Sequence, residues 1–221
     1  MTQSPAVHYT APFFVFLGLL ALGSVWPLAG AADQIARIAV LLAVLLWVSR
    51  PVIDLRVRNW AGTVTIGVAI FVLWVTPDLL FPSYRHGWLF ENPLTGAART
   101  SLSAGDVRNP LVLALRTFRA SVLVPVLEEL FWRGWLMRRI IGHEFREVTL
   151  GAYTATSFWV VAALFASEHG PYWDVGLAAG ILFNLWMIRT RSLGDLILAH
   201  AVANLGLSAY VIATGKWEYW L

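Results

Sequence analysis

VLVPVLEELFWRGWL, residues 122–136, places two adjacent glutamates, Glu128 and Glu129, inside one of the most apolar stretches of the chain. An ionised carboxylate at bilayer depth costs about 2.5–3.5 kcal/mol on insertion scales, so membrane helices seldom carry one without a use for it. Two neighbouring carboxylates also repel each other. The segment therefore predicts a membrane helix whose acidic pair serves chemistry rather than folding.

The composition of the whole chain agrees with a membrane protein. Of its 221 residues, 58% are hydrophobic and 13% are charged, whereas a soluble domain carries about 25% charged residues. No alternating ten-residue pattern indicates a barrel, so helices are favoured. We expect an all-α polytopic transmembrane helix bundle of about seven spans (six to eight) around a polar cavity. The predicted spans are 11–31, 35–49, 60–81, 110–137, 150–168, 174–188 and 193–213.

The domain organisation follows from the absence of long polar tracts in the sequence. Residues 1–221 are interpreted as a single integral membrane domain. The longest polar stretch, 82–109, contains prolines and glycines and is expected to form a surface loop or an interfacial helix.

The distribution of arginine predicts the orientation in the membrane. The loops after the second, fourth and sixth predicted spans carry Arg50, Arg56, Arg58, Arg138, Arg139, Arg146, Arg189 and Arg191. The positive-inside rule places these loops and the N-terminus in the cytoplasm. Arg85, Arg99 and Arg108 lie in an opposing loop and weaken this bias. Tryptophans near the span ends, including Trp220, fit interfacial belts.

The composition also excludes several classes of function. The chain has no cysteine, which excludes disulfides, thiolate metal sites and a cysteine nucleophile. Its basic residues are scattered, so nucleic acid is not an expected partner. The expected partners are membrane lipid and a protein or peptide substrate that reaches the membrane.

The two glutamates are expected to have different roles, because they point in different directions from the helix. Glu129 and Arg133 are four residues apart, so they share a face and can form an ion pair. Glu128 points about 100° away and can face a cavity. Pro125, one turn earlier, is expected to kink the helix. A structural ion pair between helices is the alternative, and it explains a doubled carboxylate less well.

Two further groups contain histidine. His169 ends the fifth predicted span and can position a water or share a proton with a glutamate, and Phe165, one turn before it, is expected to pack beside the site. His200 and Asn204 share one face of the seventh span and can donate hydrogen bonds to an oxyanion on a peptide carbonyl. Hydrogen bonding between helices is the alternative for this pair.

Together these groups indicate acyl hydrolysis by activated water without a covalent intermediate. No Gly-x-Ser-x-Gly elbow surrounds Ser167, the serine closest to His169 in sequence. A zinc site formed by His169, His200 and Glu128 is the competing hypothesis, although the chain lacks a His-Glu-x-x-His helix. A non-catalytic membrane scaffold that binds peptide tails and a proton-coupled transporter are the alternatives outside hydrolysis, the latter without evident inverted repeats.

The motifs E-E-x-x-x-R at 128–133, F-x-x-x-H at 165–169 and H-x-x-x-N at 200–204 follow one another on successive apolar segments. They resemble the CAAX prenyl endopeptidase and bacteriocin-processing (abortive-infection) family of intramembrane glutamic proteases. Residues 124–133, 198–204 and 213–220 are more similar still to a bacterial subgroup of CAAX prenyl protease-related proteins associated with exosortase.

The resemblance implies an intramembrane endopeptidase of the bacterial inner membrane. It implies Glu128 as general base, His169 as its assistant, and His200 with Asn204 as the oxyanion hole. Glu129 matches a supporting position beside the catalytic base, and Arg133 matches another. The resemblance favours no catalytic metal, so we expect no cofactor, and it associates the chain with exosortase-type surface-protein processing.

One difficulty concerns the depth of His169 in the membrane. Alternating spans put this residue at the far end of its helix, away from the end where His200 lies. The chain must therefore dip inward at Gly170-Pro171, in a re-entrant break that lines the cavity.

Overall fold

The computed structural model describes residues 4–23, 25 and 28–220. Within these ranges the chain forms seven helices and no strand, which confirms the predicted all-α bundle. The helices are α1 Val7–Leu22, α2 Gly30–Val52, α3 Trp60–Leu80, α4 Pro110–Ile141, α5 Ala155–Ser167, α6 Trp173–Thr190 and α7 Leu193–Thr214.

Four of these helices, α2, α3, α4 and α7, are long and apolar enough to cross a membrane. The sequence prediction misplaced several boundaries. The first span was predicted at 11–31, but α1 begins at Val7 and ends at Leu22. The second span was predicted as short, 35–49, whereas α2 has 23 residues because its final turns continue to Val52.

Helix α4 carries the acidic pair and is not a regular α-helix. It widens into π turns at Arg119–Leu123 and Leu130–Leu136, on either side of the segment Val124–Glu129. Pro125 has no N–H and its ring would clash with the carbonyl one turn earlier, so a widened turn before it relieves the conflict. Wide turns of this kind are frequent at functional sites. The expected disturbance at Pro125 therefore takes the form of a π turn.

Polar side chains fix the ends of the helices that carry the site. Asn109 caps α4 by accepting hydrogen bonds from Leu111 N and Val112 N. Asp195, which is fully buried near the start of α7, accepts from Arg58 N and Asn59 N at 2.9 Å. It thus ties the segment that leads into α3 to the start of α7 by satisfying two backbone N–H groups.

Two close helix contacts depend on glycine. A Cβ at Gly67 of α3 would lie 2.5 Å from the carbonyl oxygen of Ala199 in α7. A Cβ at Gly180 of α6 would lie 3.3 Å from the Cα of Ala162 in α5. These small residues let α3 approach α7 and let α6 approach α5, as expected for helix packing in membranes.

The stretch 82–109 contains turns and one short helical turn, Asp106–Arg108. Arg85 anchors it, because its guanidinium contacts Asp78 at 2.9 Å and Asp174 at 2.7 Å. The C-terminal turn Trp217–Tyr219 packs against the same region, and the hydroxyl of Tyr219 donates to Asp78 at 2.9 Å. These contacts hold the C-terminal segment over the bundle.

Candidate active site

A cavity of about 190 Å³ lies between the helices and contains most of the polar residues singled out in the sequence. Glu128, His169, His200 and Asn204 all line it, together with Phe165. The rest of the wall is mostly apolar or aromatic, with Ser208 as a further polar residue, and includes Ile70, Phe71, Trp74, Ala179, Phe183, Leu207, Tyr219 and Trp220. Carboxylate, imidazole and amide groups from three separate elements thus converge on one pocket.

The two glutamates of α4 have different surroundings. Glu128 lines the cavity and is 6% exposed, and its Oε2 has no hydrogen-bond partner among the described residues. Glu129 is fully buried behind the cavity and accepts two hydrogen bonds from Arg133 Nη1, at 3.0 and 3.1 Å. As helix geometry predicts, Glu128 borders the cavity while Glu129 pairs with Arg133.

His200 lies between the two glutamates. Its Nδ1 is 2.9 Å from Glu129 Oε1, and its Nε2 is 3.9 Å from Glu128 Oε2. Because the Glu129 carboxylate already accepts from Arg133, it acts as an acceptor toward His200, and Nδ1 carries the hydrogen. The ring nitrogen that faces the cavity is therefore Nε2, which donates only when the ring is doubly protonated.

Arg133 is fully buried and its guanidinium is satisfied on several sides. Besides Glu129, it donates to Asn184 Oδ1 at 2.9 Å and to the carbonyl of Gly180 at 3.3 Å. The planar group also lies over the ring of Phe165, 4.7 Å from its centroid. A buried ion pair is retained only with such additional hydrogen bonds, so this network fixes the position of Glu129.

His169 reaches the cavity because α5 is short. The helix has 13 residues, about 20 Å at 1.5 Å per residue, which is less than the roughly 30 Å of a bilayer core. The chain then reverses through Gly170, which has a positive φ of 54°. His169 thus lines the cavity together with Glu128 and His200, which is the convergence that the alternating topology made difficult.

The orientation of the His169 ring is set by its neighbours. Its Nδ1 donates to the carbonyl of Phe165 at 2.7 Å, so the neutral ring presents an unprotonated Nε2. Trp74 packs edge-on at 5.1 Å between ring centroids, and Phe165 packs at 4.7 Å. A Cβ at Gly176 would lie 3.2 Å from the imidazole. The ring is therefore confined from three directions.

Asn204 lies one turn after His200 on α7, as its spacing predicts. One N–H of its amide donates to the carbonyl of Ala120 in α4 at 2.8 Å. The second N–H is free to donate elsewhere, because an amide nitrogen carries two hydrogens. The hydrogen bond to Ala120 fixes the amide at the wall of the cavity, which Asn204 also lines.

Several residues of the site were not found from the sequence. Asn184 orients Arg133, and Trp74 packs on His169. Trp220, expected in an interfacial belt, is instead 5% exposed and lines the cavity beside Tyr219. The sequence signal for Asn184 was weak, since a lone amide in an apolar helix is often only a contact between helices.

The described residues contain no group of three or more histidine, cysteine, aspartate or glutamate side chains arranged to hold a metal ion. The three residues of the zinc hypothesis, Glu128, His169 and His200, all line the cavity. His200 uses Nδ1 for Glu129, and His169 uses Nδ1 for a backbone carbonyl, so each ring has Nε2 left to offer.

Residues 110–206 match the family described as Type II CAAX prenyl endopeptidase Rce1-like. The matched segment contains Glu128, His169, His200 and Asn204 but covers less than half of the chain. This family is one of membrane CAAX proteases, so the match indicates a protease and, together with the apolar helices, a membrane protein. No curated protein and no solved structure shows significant similarity to the chain.

Proposed function

We propose that this chain is an intramembrane endopeptidase of the glutamic type, which hydrolyses a peptide bond of a membrane-associated protein or peptide with activated water. The observation that carries the proposal is the meeting of Glu128, His169, His200 and Asn204 at one cavity. The match to a family of CAAX proteases supports peptide hydrolysis in general.

In the proposed first step, Glu128 acts as general base. Glu128 lines the cavity, and its carboxylate can take a proton from water there. The neutral ring of His169 presents Nε2 on the same cavity and can accept a second hydrogen bond from that water. The water oxygen then attacks the carbonyl carbon of the substrate and forms a tetrahedral intermediate.

The negative charge that develops on the carbonyl oxygen needs hydrogen-bond donors already in place. Asn204 offers its second N–H. His200 can donate from Nε2 when both ring nitrogens carry a hydrogen, while its Nδ1 donates to the Glu129 carboxylate. We therefore propose that the oxyanion hole consists of a neutral amide and an imidazolium, with Glu129 as a positioning residue.

The intermediate collapses when the C–N bond breaks. Glu128 returns the proton that it took from water to the leaving nitrogen, so the products are a carboxyl terminus and an amine. The same carboxylate thus acts first as the base and then as the acid. These steps use the side chains of the chain and one water, and the proposed mechanism needs no metal.

The proposed location is the inner membrane of a bacterium, with the N-terminus in the cytoplasm. Arginines at or just after the C-terminal ends of α2, α4 and α6 support this orientation. Because the chain has no cysteine, single cysteines introduced at Arg56 and at Trp88 can be labelled from one side at a time. Labelling of the Arg56 position from the cytoplasm and of the Trp88 position from outside is the expected result.

A role in exosortase-linked processing of surface proteins is the pathway that we propose from the sequence resemblance.

Comparison of membrane proteomes from cells that produce the unmodified chain and the Glu128→Gln variant tests the function. The amide keeps the shape of the side chain and loses the base. We expect a membrane-associated precursor to accumulate unprocessed with the variant, and the purified unmodified chain to cleave it. Capture of the precursor without turnover by the purified protein would instead indicate a scaffold.

A further inference from the structure

The cavity that holds the proposed catalytic groups is too small for a peptide. Its volume is about 190 Å³, whereas pockets that enclose a drug-sized ligand measure about 300–1,000 Å³. A peptide that extends to both sides of a scissile bond needs at least that much room. Part of the wall must therefore move before a substrate can reach Glu128.

Most of the cavity wall belongs to closely packed helices. A Cβ at Gly67 of α3 would lie 2.5 Å from the carbonyl oxygen of Ala199, so α3 and α7 are in backbone contact there. Tyr219 and Trp220 belong instead to a short segment that follows α7, residues 215–220, here called the C-terminal strap. Their side chains are buried and line the cavity. The strap is thus a part of the wall that can move without separating membrane helices.

The strap is joined to α7 through an exposed glycine. Gly215 has a positive φ of 71°, which ends the helix and lets the chain turn back over the bundle. Trp217 N donates to the carbonyl of Gly215 at 3.0 Å and closes this turn. Hinges of active-site lids are usually a few loop or helix-end residues of this kind that absorb a change in φ and ψ.

The far end of the strap is fastened by hydrogen bonds. The hydroxyl of Tyr219 donates to Asp78 Oδ2 at 2.9 Å, and the carbonyl of Trp220 accepts from Ser101 N at 3.1 Å. Asp78 Oδ2 also accepts from Arg85 Nε at 2.9 Å. The carboxylate therefore keeps a partner and its position when Tyr219 leaves, so the bond to Tyr219 can break and form again.

We propose that the C-terminal strap is a lid on the active-site cavity, which swings about Gly215 to admit the peptide substrate and is latched by the Tyr219–Asp78 hydrogen bond. This proposal rests on the proposed function, since it takes the substrate to be a peptide. In the closed form Tyr219 and Trp220 shield the cavity from bulk water, as active-site lids do. The same two side chains border a neighbouring cavity of about 260 Å³, so their departure joins the two spaces.

Cysteine labelling tests the lid without requiring catalysis. The chain has no cysteine, so Ser208→Cys places a single reporter thiol on the cavity wall, where the serine is 1% exposed. A charged methanethiosulfonate reagent, applied to the protein in nanodiscs, reaches this thiol when the lid is open. We expect much slower labelling than for Ser83→Cys, which lies on the exposed surface.

The variant Tyr219→Phe removes the latch and keeps the ring. Loss of a hydrogen bond to a carboxylate shifts the opening equilibrium by roughly ten- to hundredfold, so the reporter should react faster by that factor. Tyr210→Phe is the matched control, because it removes the same group from a ring that packs 6.0 Å from the ring of Tyr219 and leaves the latch intact. Its reporter should react at the rate seen without it.

Two labelling results would overturn the proposal. One is equal labelling of the reporter in the Tyr219→Phe and Tyr210→Phe proteins, which would show that the strap is a fixed wall. The other is a reporter that reacts as fast as Ser83→Cys while the latch is intact, which would show that the strap does not close the cavity.

Cleavage of the accumulated precursor is measured separately, in chains without the reporter. Because the substrate binds only the open form, the apparent affinity depends on the fraction of open chains. Tyr219→Phe should therefore lower KM by the factor seen in labelling and change the turnover number little. Cleavage with an unchanged KM would overturn the lid. Faster labelling of Tyr219→Phe without cleavage by the unmodified chain would contradict the proposed function and leave the lid in place.

Discussion

The Glu129 carboxylate and the His200 ring are joined by a 2.9 Å hydrogen bond at Nδ1, which turns Nε2 of the imidazole toward the cavity. Glu129 itself lies behind this ring and does not line the cavity. The second glutamate of the pair therefore acts on the site through His200, whereas the first faces the cavity directly.

The variant Glu129→Gln tests this positioning role. The amide can present its NH₂ to Nδ1 and so favour the wrong tautomer of His200, as the equivalent change does in serine protease triads. We expect the turnover number to fall by about 10² to 10⁴ while substrate affinity changes little. Glu144→Gln, in an exposed loop, is the control. An unchanged turnover number in a folded Glu129→Gln protein would remove Glu129 from the mechanism.

The buried Arg133–Glu129 pair predicts a large effect on stability. Arg133→Met leaves the Glu129 carboxylate without its cation, which should destabilise the fold by about 3–5 kcal/mol. Arg56→Met is the matched control, because Arg56 pairs with Asp54 at 2.9 Å on the exposed surface, where solvent screening leaves such pairs little effect on stability. Denaturant unfolding in detergent measures both. Equal losses in the two variants would show that the buried network does not hold the helices together.

The glycine beside His169 gives a test that leaves every polar group intact. Gly176→Ala introduces a Cβ 3.2 Å from the imidazole, so the ring must shift by a few tenths of an ångström. We expect a loss in turnover of about tenfold, since small misplacements of catalytic groups are costly. Gly18→Ala in α1 is the control, because its Cβ would meet nothing within 4 Å. Full activity of Gly176→Ala would show that the position of His169 is not critical.

Some features of the fold and of the candidate site could be predicted from the sequence, and others could not. Spacing of four residues predicted the Glu129–Arg133 pair and placed His200 and Asn204 on one face, because helix geometry alone fixes such relations. The number of helices followed from apolar length. Each of these predictions rests on a local feature, either the helical repeat or the apolar length of one segment, which a single sequence contains.

Relations between distant segments were not accessible in the same way. Nothing near His200 in sequence indicates that its Nδ1 bonds to Glu129, 71 positions away. The place of Trp220 at the cavity wall depends on the turn after α7 and on the Tyr219–Asp78 hydrogen bond. The depth of His169 depends on where α5 stops, and helix boundaries are the least certain part of a prediction from sequence.

Metal removal separates the proposed mechanism from the zinc hypothesis. Since water activation is assigned to Glu128, prolonged treatment with EDTA and 1,10-phenanthroline should leave the cleavage rate unchanged within about twofold. The treated protein is compared with an untreated sample from the same preparation, and its zinc content is measured by mass spectrometry. A rate that falls with chelation and returns on addition of Zn²⁺ would reject the metal-free mechanism.

The most direct test of the account is the cleavage rate of purified Glu128→Gln in proteoliposomes, measured on the precursor that accumulates in cells carrying the same variant. The account predicts a fall of about 10² to 10⁴, the usual contribution of a general base, with unchanged folding and substrate binding. Cleavage by Glu128→Gln at the rate of the unmodified chain would contradict it.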